Sequence, residues 1–241
     1  MRKTVYAAGA LSMLAALTFA APAQAGGKHD GGRHHSDDAL LSVLHGVPDL
    51  TVDVWVNGKL TLDDFAPGTL AGPLKLDDGT YKIAVTAADA TSADNPVIGP
   101  VKVHLEEGRN YTAVAHLDAS GAPTATLFKN NTSPSPKGEG KLTVRHVAGA
   151  PAVDVLAGDT AVIEDLTNAE QKVLTLEAGT VSASVAAAGT TEPLIGPADV
   201  PVTKGKNTIV YAWGSLEDGT LGVAVQVVDS AKWRDHDRHD R

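Results

Sequence analysis

The sequence predicts an all-β protein built from two tandem antiparallel β-sandwich domains. Short runs with an apolar residue at every second position alternate with glycine-bearing turns. No window beyond residue 25 keeps the 3.6-residue apolar spacing of an amphipathic helix. A set of landmarks also occurs twice, which indicates a duplicated unit of about 100 residues, the size of a small sandwich. His45, Asp53 and Asp64 recur as His146, Asp154 and Asp165, each 101 residues later.

Residues 1–25 have the pattern of a secretory signal peptide. Arg2 and Lys3 precede an apolar run from Val5 to Ala20, and Ala23-Gln24-Ala25 supplies the small residues at which a signal peptidase cleaves. We therefore expect cleavage after Ala25 and export of the protein. No second run of about 18 apolar residues follows, so we expect no membrane insertion of the mature chain.

Polar tails are predicted at both ends of the mature chain. Residues 26–38 are rich in glycine, histidine and aspartate, and residues 232–241 contain Trp233 as their single apolar side chain. Neither segment can bury enough surface to offset the entropy of ordering it. We therefore expect residues 26–38 and 230–241 to be disordered.

The first sandwich domain is predicted over residues 39–128. Its first strand contains Leu41 and Val43, and the alternating valines of Val52–Leu62 predict a hairpin around Asn57-Gly58, a dipeptide suited to a type I′ turn. Further strands follow glycine-bearing turns and begin near Tyr81, Val97, Asn110 and Thr124.

Residues 129–140 are predicted to link this domain to the second, which covers residues 141–229. The linker is polar and contains two prolines, and a flexible segment of its length spans roughly 20 Å. The domains can therefore lie side by side without being obliged to. Seven or eight strands are expected in each domain, and those of the second begin near Leu142, Val153, Ala161, Val173, Val181, Leu194, Thr208 and Thr220.

Composition excludes several classes of function. The chain has no cysteine, which excludes disulfides, thiolate metal sites and cysteine nucleophiles. Removal of the signal peptide leaves 18 basic against 29 acidic residues, a net charge of −11, which makes nucleic acid and anionic lipid poor partners. Aromatic residues make up 4% of the chain, which disfavours binding by ring stacking.

His45 and His146 are the strongest candidates for chemistry, because each ends the first strand of its domain and lies eight residues before an aspartate. Strand parity places both histidines on the apolar face, with Asp53 and Asp154 on the opposite, outward face. The structural interpretation is a half-buried histidine whose ring nitrogen bonds to a loop carbonyl, with the aspartates serving turns or solvent. The alternative is a matched pair of ligand sites, one in each domain, formed by these four residues.

The sequence lacks the motifs of known catalytic and cofactor sites. It contains no G-x-S-x-G elbow, no H-E-x-x-H, no glycine-rich phosphate loop and no twelve-residue calcium loop. The adjacent acids Asp63-Asp64, Asp77-Asp78 and Glu106-Glu107 lie near turns and are predicted to be solvated surface rather than a general acid and base. We therefore expect no catalytic residue, no cofactor and no enzymatic activity.

Five histidines in the tails are weak candidates for metal binding. They are interleaved with aspartates, and imidazole together with carboxylate can chelate zinc, copper or nickel. Nothing in the sequence fixes their geometry, so adventitious binding is expected and metal capture is the functional alternative. These residues are His29, His34, His35, His236 and His239.

The order of the landmarks resembles a family of unknown function found as tandem repeats in secreted bacterial proteins. An H-x6-V-D-V motif beginning at His45 is followed by Asp63-Asp64-Phe65, then Gly-Thr, Gly-Pro and a tyrosine-bearing strand. The resemblance covers Leu40–Phe128 and Leu142–Val228. It implies an extracellular β-sandwich module with no assigned activity and carries over no catalytic residue. The segment GTYKIAV is also similar to a strand of transthyretin-like and other immunoglobulin-like modules.

Together these patterns predict a secreted, non-enzymatic protein that binds or scaffolds at the cell envelope. The expected partner is a protein or an envelope polymer, and the expected location is the medium or a loose association with the cell wall. One alternative is an extracellular hydrolase of unrecognised type with His45 and His146 as bases. The other is metal capture by the tails.

Overall fold

Sixteen β-strands and no helix make up residues 38–231, the part of the chain that the computed structural model describes. The predicted all-β class is confirmed, and each sequence repeat contains eight strands. The first repeat contains β1 (Ala39–His45), β2 (Val52–Val56), β3 (Lys59–Phe65), β4 (Leu70–Leu76), β5 (Gly79–Ala87), β6 (Ile98–Leu105), β7 (Asn110–Leu117) and β8 (Pro123–Lys129). The second contains β9 (Glu139–Gly149), β10 (Val153–Ala157), β11 (Thr160–Leu166), β12 (Gln171–Glu177), β13 (Gly179–Ala187), β14 (Pro193–Val202), β15 (Lys206–Ser215) and β16 (Gly222–Asp229).

Each repeat folds into a β-sandwich of two four-stranded sheets. In the first sandwich, sheet A has the strand order β4-β1-β7-β8 and sheet B has the order β3-β2-β5-β6. In the second, sheet C has the order β12-β9-β15-β16 and sheet D has the order β11-β10-β13-β14. The two strand orders are equivalent, so the duplication in sequence is a duplication of the fold. No described residue belongs to a helix long and apolar enough to cross a membrane.

One strand pair in each sandwich is parallel, which departs from the antiparallel arrangement predicted. β1 pairs in parallel with β7, from Leu40 opposite Asn110 to His45 opposite Ala115. β9 pairs with β15 in the same way. Apolar alternation has the same period in either strand direction, so it predicts a strand but not the direction of its neighbour. The parallel pairing is possible because five other strands separate β1 from β7 along the chain.

The core of each sandwich consists of the apolar side chains that alternate along its strands. Leu41 of β1 and Val54 of β2 lie in the first core, and Leu142 of β9 and Val155 of β10 lie in the second. Full burial of a side chain of this size contributes about 1.5–3 kcal/mol. The period-2 pattern therefore identifies the inward face of these strands correctly.

β4 is a strand that the sequence did not predict. Gly72-Pro73 interrupts its apolar alternation, and its pairing with β1 shifts register between Leu41 and Val43. Proline cannot donate to the ladder, and β4 accordingly lies at the edge of sheet A. Gly72 has a φ of 103°, and a Cβ there would lie 2.8 Å from the carbonyl oxygen of Leu41. Local backbone geometry therefore hides this strand from pattern analysis.

The two sandwiches pack against each other through sheets A and C. A third apolar cluster contains Leu44, Val114 and Phe128 from sheet A together with Val147, Ile209, Tyr211 and Val228 from sheet C. The described residues accordingly lie within one compact unit. The linker allows the domains to lie side by side, and the structure shows that they do so, with the sheets stacked in the order B, A, C, D.

A loop of each sandwich reaches across this interface. Gly68, between β3 and β4, has a φ of 73°, and a Cβ there would lie 2.6 Å from Cζ2 of Trp213 in β15. The equivalent loop of the second sandwich contains Asn168, whose Nδ2 donates to the carbonyl oxygen of Leu117 at 2.9 Å. The contacts thus have approximate two-fold symmetry, as expected when duplicated domains pair through equivalent faces.

Candidate functional site

His45 and His146 occupy equivalent positions and make equivalent hydrogen bonds. Nε2 of His45 lies 2.6 Å from the carbonyl oxygen of Leu50, and Nε2 of His146 lies 2.8 Å from that of Pro151. Each histidine therefore holds the loop that leads into the second strand of its sandwich. The loop-carbonyl partner is the one predicted from the sequence, but the rings are fully rather than half buried, with exposures of 1% and 0%. The His45 ring also stacks on Phe65 of β3.

Burial sets the charge state of these histidines. Loss of hydration lowers the pKa of His45 and of His146, and the loop carbonyl only partly offsets this. His116 of β7 is also fully buried, and desolvation lowers its pKa as well. Its ring bonds to the carbonyl oxygen of Leu117 and to the Thr126 hydroxyl, both at 2.9 Å. All three rings are therefore neutral at pH 7 and make internal hydrogen bonds, while Nδ1 of His45 is buried without a partner.

Asp53 and Asp154 are buried, which corrects the prediction that they face turns or solvent. Their exposures are 1% and 6%. In β3 an extra residue opposes Asp53, so that the backbone bulges, and Asp64 at the bulge has a φ of 50°. Oδ1 of Asp53 accepts the Asp64 N–H at 3.0 Å. Strand parity assigned the face correctly, but it could not anticipate that a bulge would cover that face.

The second sandwich repeats this arrangement with one further bond. Oδ1 of Asp154 accepts the N–H of Asp165 at 2.9 Å, and its Oδ2 accepts the N–H of Gly189 at 2.8 Å. Asp165 has a φ of 52°, matching Asp64 of the first sandwich. The repeated aspartates are therefore acceptors that stabilise two β-bulges. Each histidine and each aspartate bonds to its own backbone partner, and the structure does not bring them together as a dyad.

Removal of these carboxylates is expected to be costly. Asp53→Ala and Asp154→Ala should each lower the free energy of unfolding by about 1–3 kcal/mol, because a bulge N–H loses its acceptor. Urea denaturation measures the change, and Asp78→Ala at an exposed position is the control, expected to stay within about 0.5 kcal/mol of wild type. Alanine variants as stable as this control would contradict a capping role for the buried aspartates.

Asp53, Asp63 and Asp64 form the acidic group that could hold a cation in the described part of the chain. One carboxylate oxygen of each lies within 4.8 Å of the others, and oxygen ligands of this kind suit calcium or magnesium. The pKa of Asp63 is raised, first by local desolvation, although the side chain stays exposed, and then by the charges of Asp53, Asp64 and Asp89. The geometry commits Asp53 to the bulge, so the group by itself does not define a metal centre.

The remaining sequence candidates lie on the surface or outside the described residues. Asp77, Asp78 and Glu107 are exposed. Glu106 is exposed too, and its carboxylate pairs with Lys129 at 2.8 Å. The five histidines of the tails lie outside the part of the chain that the structure describes, as do residues 1–25, where a signal peptide is predicted, and the rest of residues 26–37.

Arg145 of β9 is a buried charged residue that sequence analysis missed. It has no exposed surface, and its guanidinium donates to neutral oxygens alone: Tyr211 Oη at 2.7 Å, Asn130 Oδ1 at 2.8 Å and Gln171 Oε1 at 2.9 Å. The same group lies 4.4 Å from the ring centroid of Phe128. Desolvation lowers the pKa of Arg145 from its ordinary value, but an arginine starts so high that it stays charged at neutral pH.

The hydrogen bonds around Arg145 cross between the two sandwiches. Gln226 of sheet C accepts from the Tyr211 hydroxyl at 2.6 Å and from the Thr112 hydroxyl of sheet A at 2.9 Å. Its Nε2 donates to Oγ of Ser42 in sheet A at 3.1 Å. Burial raises the pKa of Tyr211, so the phenol stays protonated and can donate to Gln226. The network therefore fixes the relative position of the sandwiches with directional bonds as well as apolar contact.

These features define a tandem β-sandwich protein in which the repeated histidines and aspartates maintain loops and bulges. Residues 39–156 match the family described as Domain of unknown function (DUF4397). The match takes in the whole first sandwich, the linker and β9, and ends within β10. The chain therefore contains a domain of unknown function. No curated protein matches it in sequence.

Proposed function

We propose that the protein is a non-enzymatic binding or scaffolding module that is exported and acts at the cell envelope, with a protein or an envelope polymer as its partner. The observation that carries this proposal is that the four repeated candidate residues are already engaged in structural hydrogen bonds. His45 and His146 hold loop carbonyls, and Asp53 and Asp154 hold bulge N–H groups. A general base must reach the proton that it removes, and these rings are buried and already bonded.

The duplication supports a scaffolding role in a second way. The interface of sheets A and C holds the two sandwiches in one relative position through apolar packing and the hydrogen bonds around Arg145. Two similar modules at a fixed spacing present two similar outer surfaces, and paired weak contacts gain affinity when their geometry matches a repeating target. An envelope polymer or a repetitive surface protein has such a geometry.

Fractionation and binding assays test the proposal together. The mature chain is expected to reach the medium or a loosely bound wall fraction, and the purified protein should co-sediment with isolated envelope material in a saturable manner. A globular protein of the same size and net charge serves as the control for non-specific retention. Retention no greater than that of the control would contradict an envelope-binding role.

The hydrolase alternative makes a different prediction. The purified mature protein should then turn over a member of a panel of glycan, ester and peptide substrates, and His45→Gln should abolish that turnover while circular dichroism shows an intact fold. Such a result would replace the binding proposal.

For metal capture by the tails, calorimetry with zinc on the mature chain and on residues 38–231 separates tail binding from binding by the sandwiches.

A further inference from the structure

β16 is an edge strand that lacks the usual protection against pairing with another chain. The four sheets have eight edge strands in the described part of the chain. Seven contain a proline or a charged residue before their last position, for example Pro73 in β4, Pro100 in β6 and Lys172 in β12. Residues of this kind discourage the addition of a further strand. β16 reads GVAVQVVD and has neither before its last residue, Asp229.

One face of β16 also carries an uncovered row of valines. Val223, Val225 and Val227 have exposures of 41%, 49% and 51%. In the first sandwich the position equivalent to Val225 is Leu127 of β8, which packs against the core because β6 lies over β8. In the second sandwich β14 packs against β9 and β15 instead. β16 therefore extends beyond sheet D with both its backbone edge and its apolar face open.

We propose that β16 pairs with β16 of a second copy of this chain. The two strands would run antiparallel about a two-fold axis at Val225 and join two C sheets into one sheet of eight strands. Opposite residues of an antiparallel pair share a face of the sheet. In this register Val225 lies opposite Val225 of the second copy, and Val223 lies opposite Val227. The valine rows of the two copies then form one continuous apolar strip.

A second copy fits this edge better than a segment of the same chain. Residues 26–37 and 232–241 carry Trp233 as their single large apolar side chain, so neither can supply an alternating apolar strand. A second β16 supplies one by symmetry, and such isologous contacts are the commonest in homo-oligomers. The chain as a whole is acidic, with a net charge of −9. Residues 222–228 are uncharged, however, so the paired stretch opposes no like charges.

The size of the contact determines the strength of the dimer. One strand edge and three half-exposed valines bury much less than the roughly 800 Å² per partner of a stable interface. The pairing is therefore weak and reversible, with a dissociation constant in the micromolar range or above. The strand itself is held in place, because the opposite face of β16 places Gln226 and Val228 in the contact with sheet A.

Sedimentation equilibrium on the full mature chain tests the pairing. The wild type is expected to show a monomer–dimer equilibrium as the concentration rises toward about 1 mM, and Val225→Lys should weaken it by about tenfold or more. Val173→Lys is the matched control, because Val173 is also exposed, at 37%, but lies on β12 at the opposite edge of sheet C. A wild type that stays monomeric throughout, or equal weakening by both variants, would overturn the proposal.

Cysteine crosslinking tests the register independently of any loss of stability. The chain has no cysteine, so each variant carries a single thiol. Directly opposite Cα atoms lie about 4.5–5.5 Å apart, within the span of a disulfide. Val225→Cys should therefore form a covalent dimer on mild oxidation, while Val173→Cys and Val223→Cys should not. Equal crosslinking of Val225→Cys and Val173→Cys would exclude the pairing, and faster crosslinking of Val223→Cys would exclude this register.

Discussion

Arg145→Ala is expected to lower the free energy of unfolding by about 3–5 kcal/mol, the largest effect of any single substitution considered. The change removes the fully buried guanidinium, opens a void beside Phe128 and Tyr211, and leaves the oxygens of Asn130 and Gln171 without their donor. Arg109→Ala is the control, because Arg109 is exposed and its ion pair with Glu106, at 3.5 Å, lies on the surface. It should change stability by no more than about 0.5 kcal/mol.

Arg145→Met separates the cost of the void from the role of the charge. A buried charge without a carboxylate partner is expensive to desolvate, and apolar replacements of similar volume are often neutral or stabilising. The methionine variant is therefore expected to regain most of the stability lost by the alanine variant. If the arginine specifies how the sandwiches dock, this variant should broaden the amide NMR signals of Thr112 and Gln226, which face each other across the interface.

Two results would contradict this account of Arg145. An alanine variant as stable as Arg109→Ala would show that the guanidinium is not buried in solution. A methionine variant as unstable as the alanine variant would show that the hydrogen bonds, rather than the filled volume, supply the stability.

The sequence predicts the fold because each level of its pattern agrees with the next. Alternating valines identify the inward faces of β2 and β10, and Asn57-Gly58 forms the predicted turn between β2 and β3, with both residues at positive φ. His45 and His146 bond to loop carbonyls as predicted, since a polar ring on an apolar face has few other options. These inferences use only neighbouring residues and one face of one strand, so they need no information about contacts distant in the chain.

The features that were missed depend on contacts distant in the chain. Arg145 alternates with Val144 and His146, which places it on the outer face of its own sandwich, and only the approach of sheet A makes that face an interior. The sequence does contain a signal that this outer face is buried. β7 contains NYTAVAHL, and β15 contains NTIVYAW after its first lysine. Nearly continuous apolar runs of this kind are typical of strands buried on both faces. The burial of Asp53 had no such signal, because the bulge that covers it depends on the register of β3.

Packing of the sandwiches also changes the expectation for their independence. A polar linker between two complete sets of strands by itself favours separate folding of residues 39–129 and 141–229. Separation would expose the apolar cluster of sheets A and C and leave Arg145 without Asn130. The isolated halves are therefore expected to be less stable than in the whole chain and to associate when mixed.

Acidification is expected to destabilise the protein at pH values well above those at which its carboxylates become protonated. His45, His116 and His146 have pKa values lowered mainly by burial, so the folded state favours their neutral forms. Below the unfolded value of about 6.5 the unfolded chain binds more protons than the native one, and stability falls with pH. The stabilisation that the three neutral histidines provide is present above about pH 6.5 and is lost as pH falls from there toward their native pKa values.

The size of this effect follows from the number of histidines. Each contributes at most about 1.4 kcal/mol per pH unit inside the window, so the three together remove at most about 4 kcal/mol between pH 7 and pH 5.5. The carboxyl groups with lowered pKa values, those of Glu106, Asp118 and Glu170, act in a separate, more acidic window. Urea denaturation at half-unit steps from pH 7.5 to pH 5.5 measures the slope.

Single histidine variants assign that slope to residues. His45→Gln and His146→Gln should each be less stable than wild type at pH 7, by about 1–3 kcal/mol, because the loop loses its best partner. Each should also reduce the pH slope, since one of three buried titrating groups is gone. His104→Gln, at an exposed position of β6, should leave both quantities unchanged. A slope that persists in a variant lacking all three buried histidines would show that other groups cause the acid sensitivity.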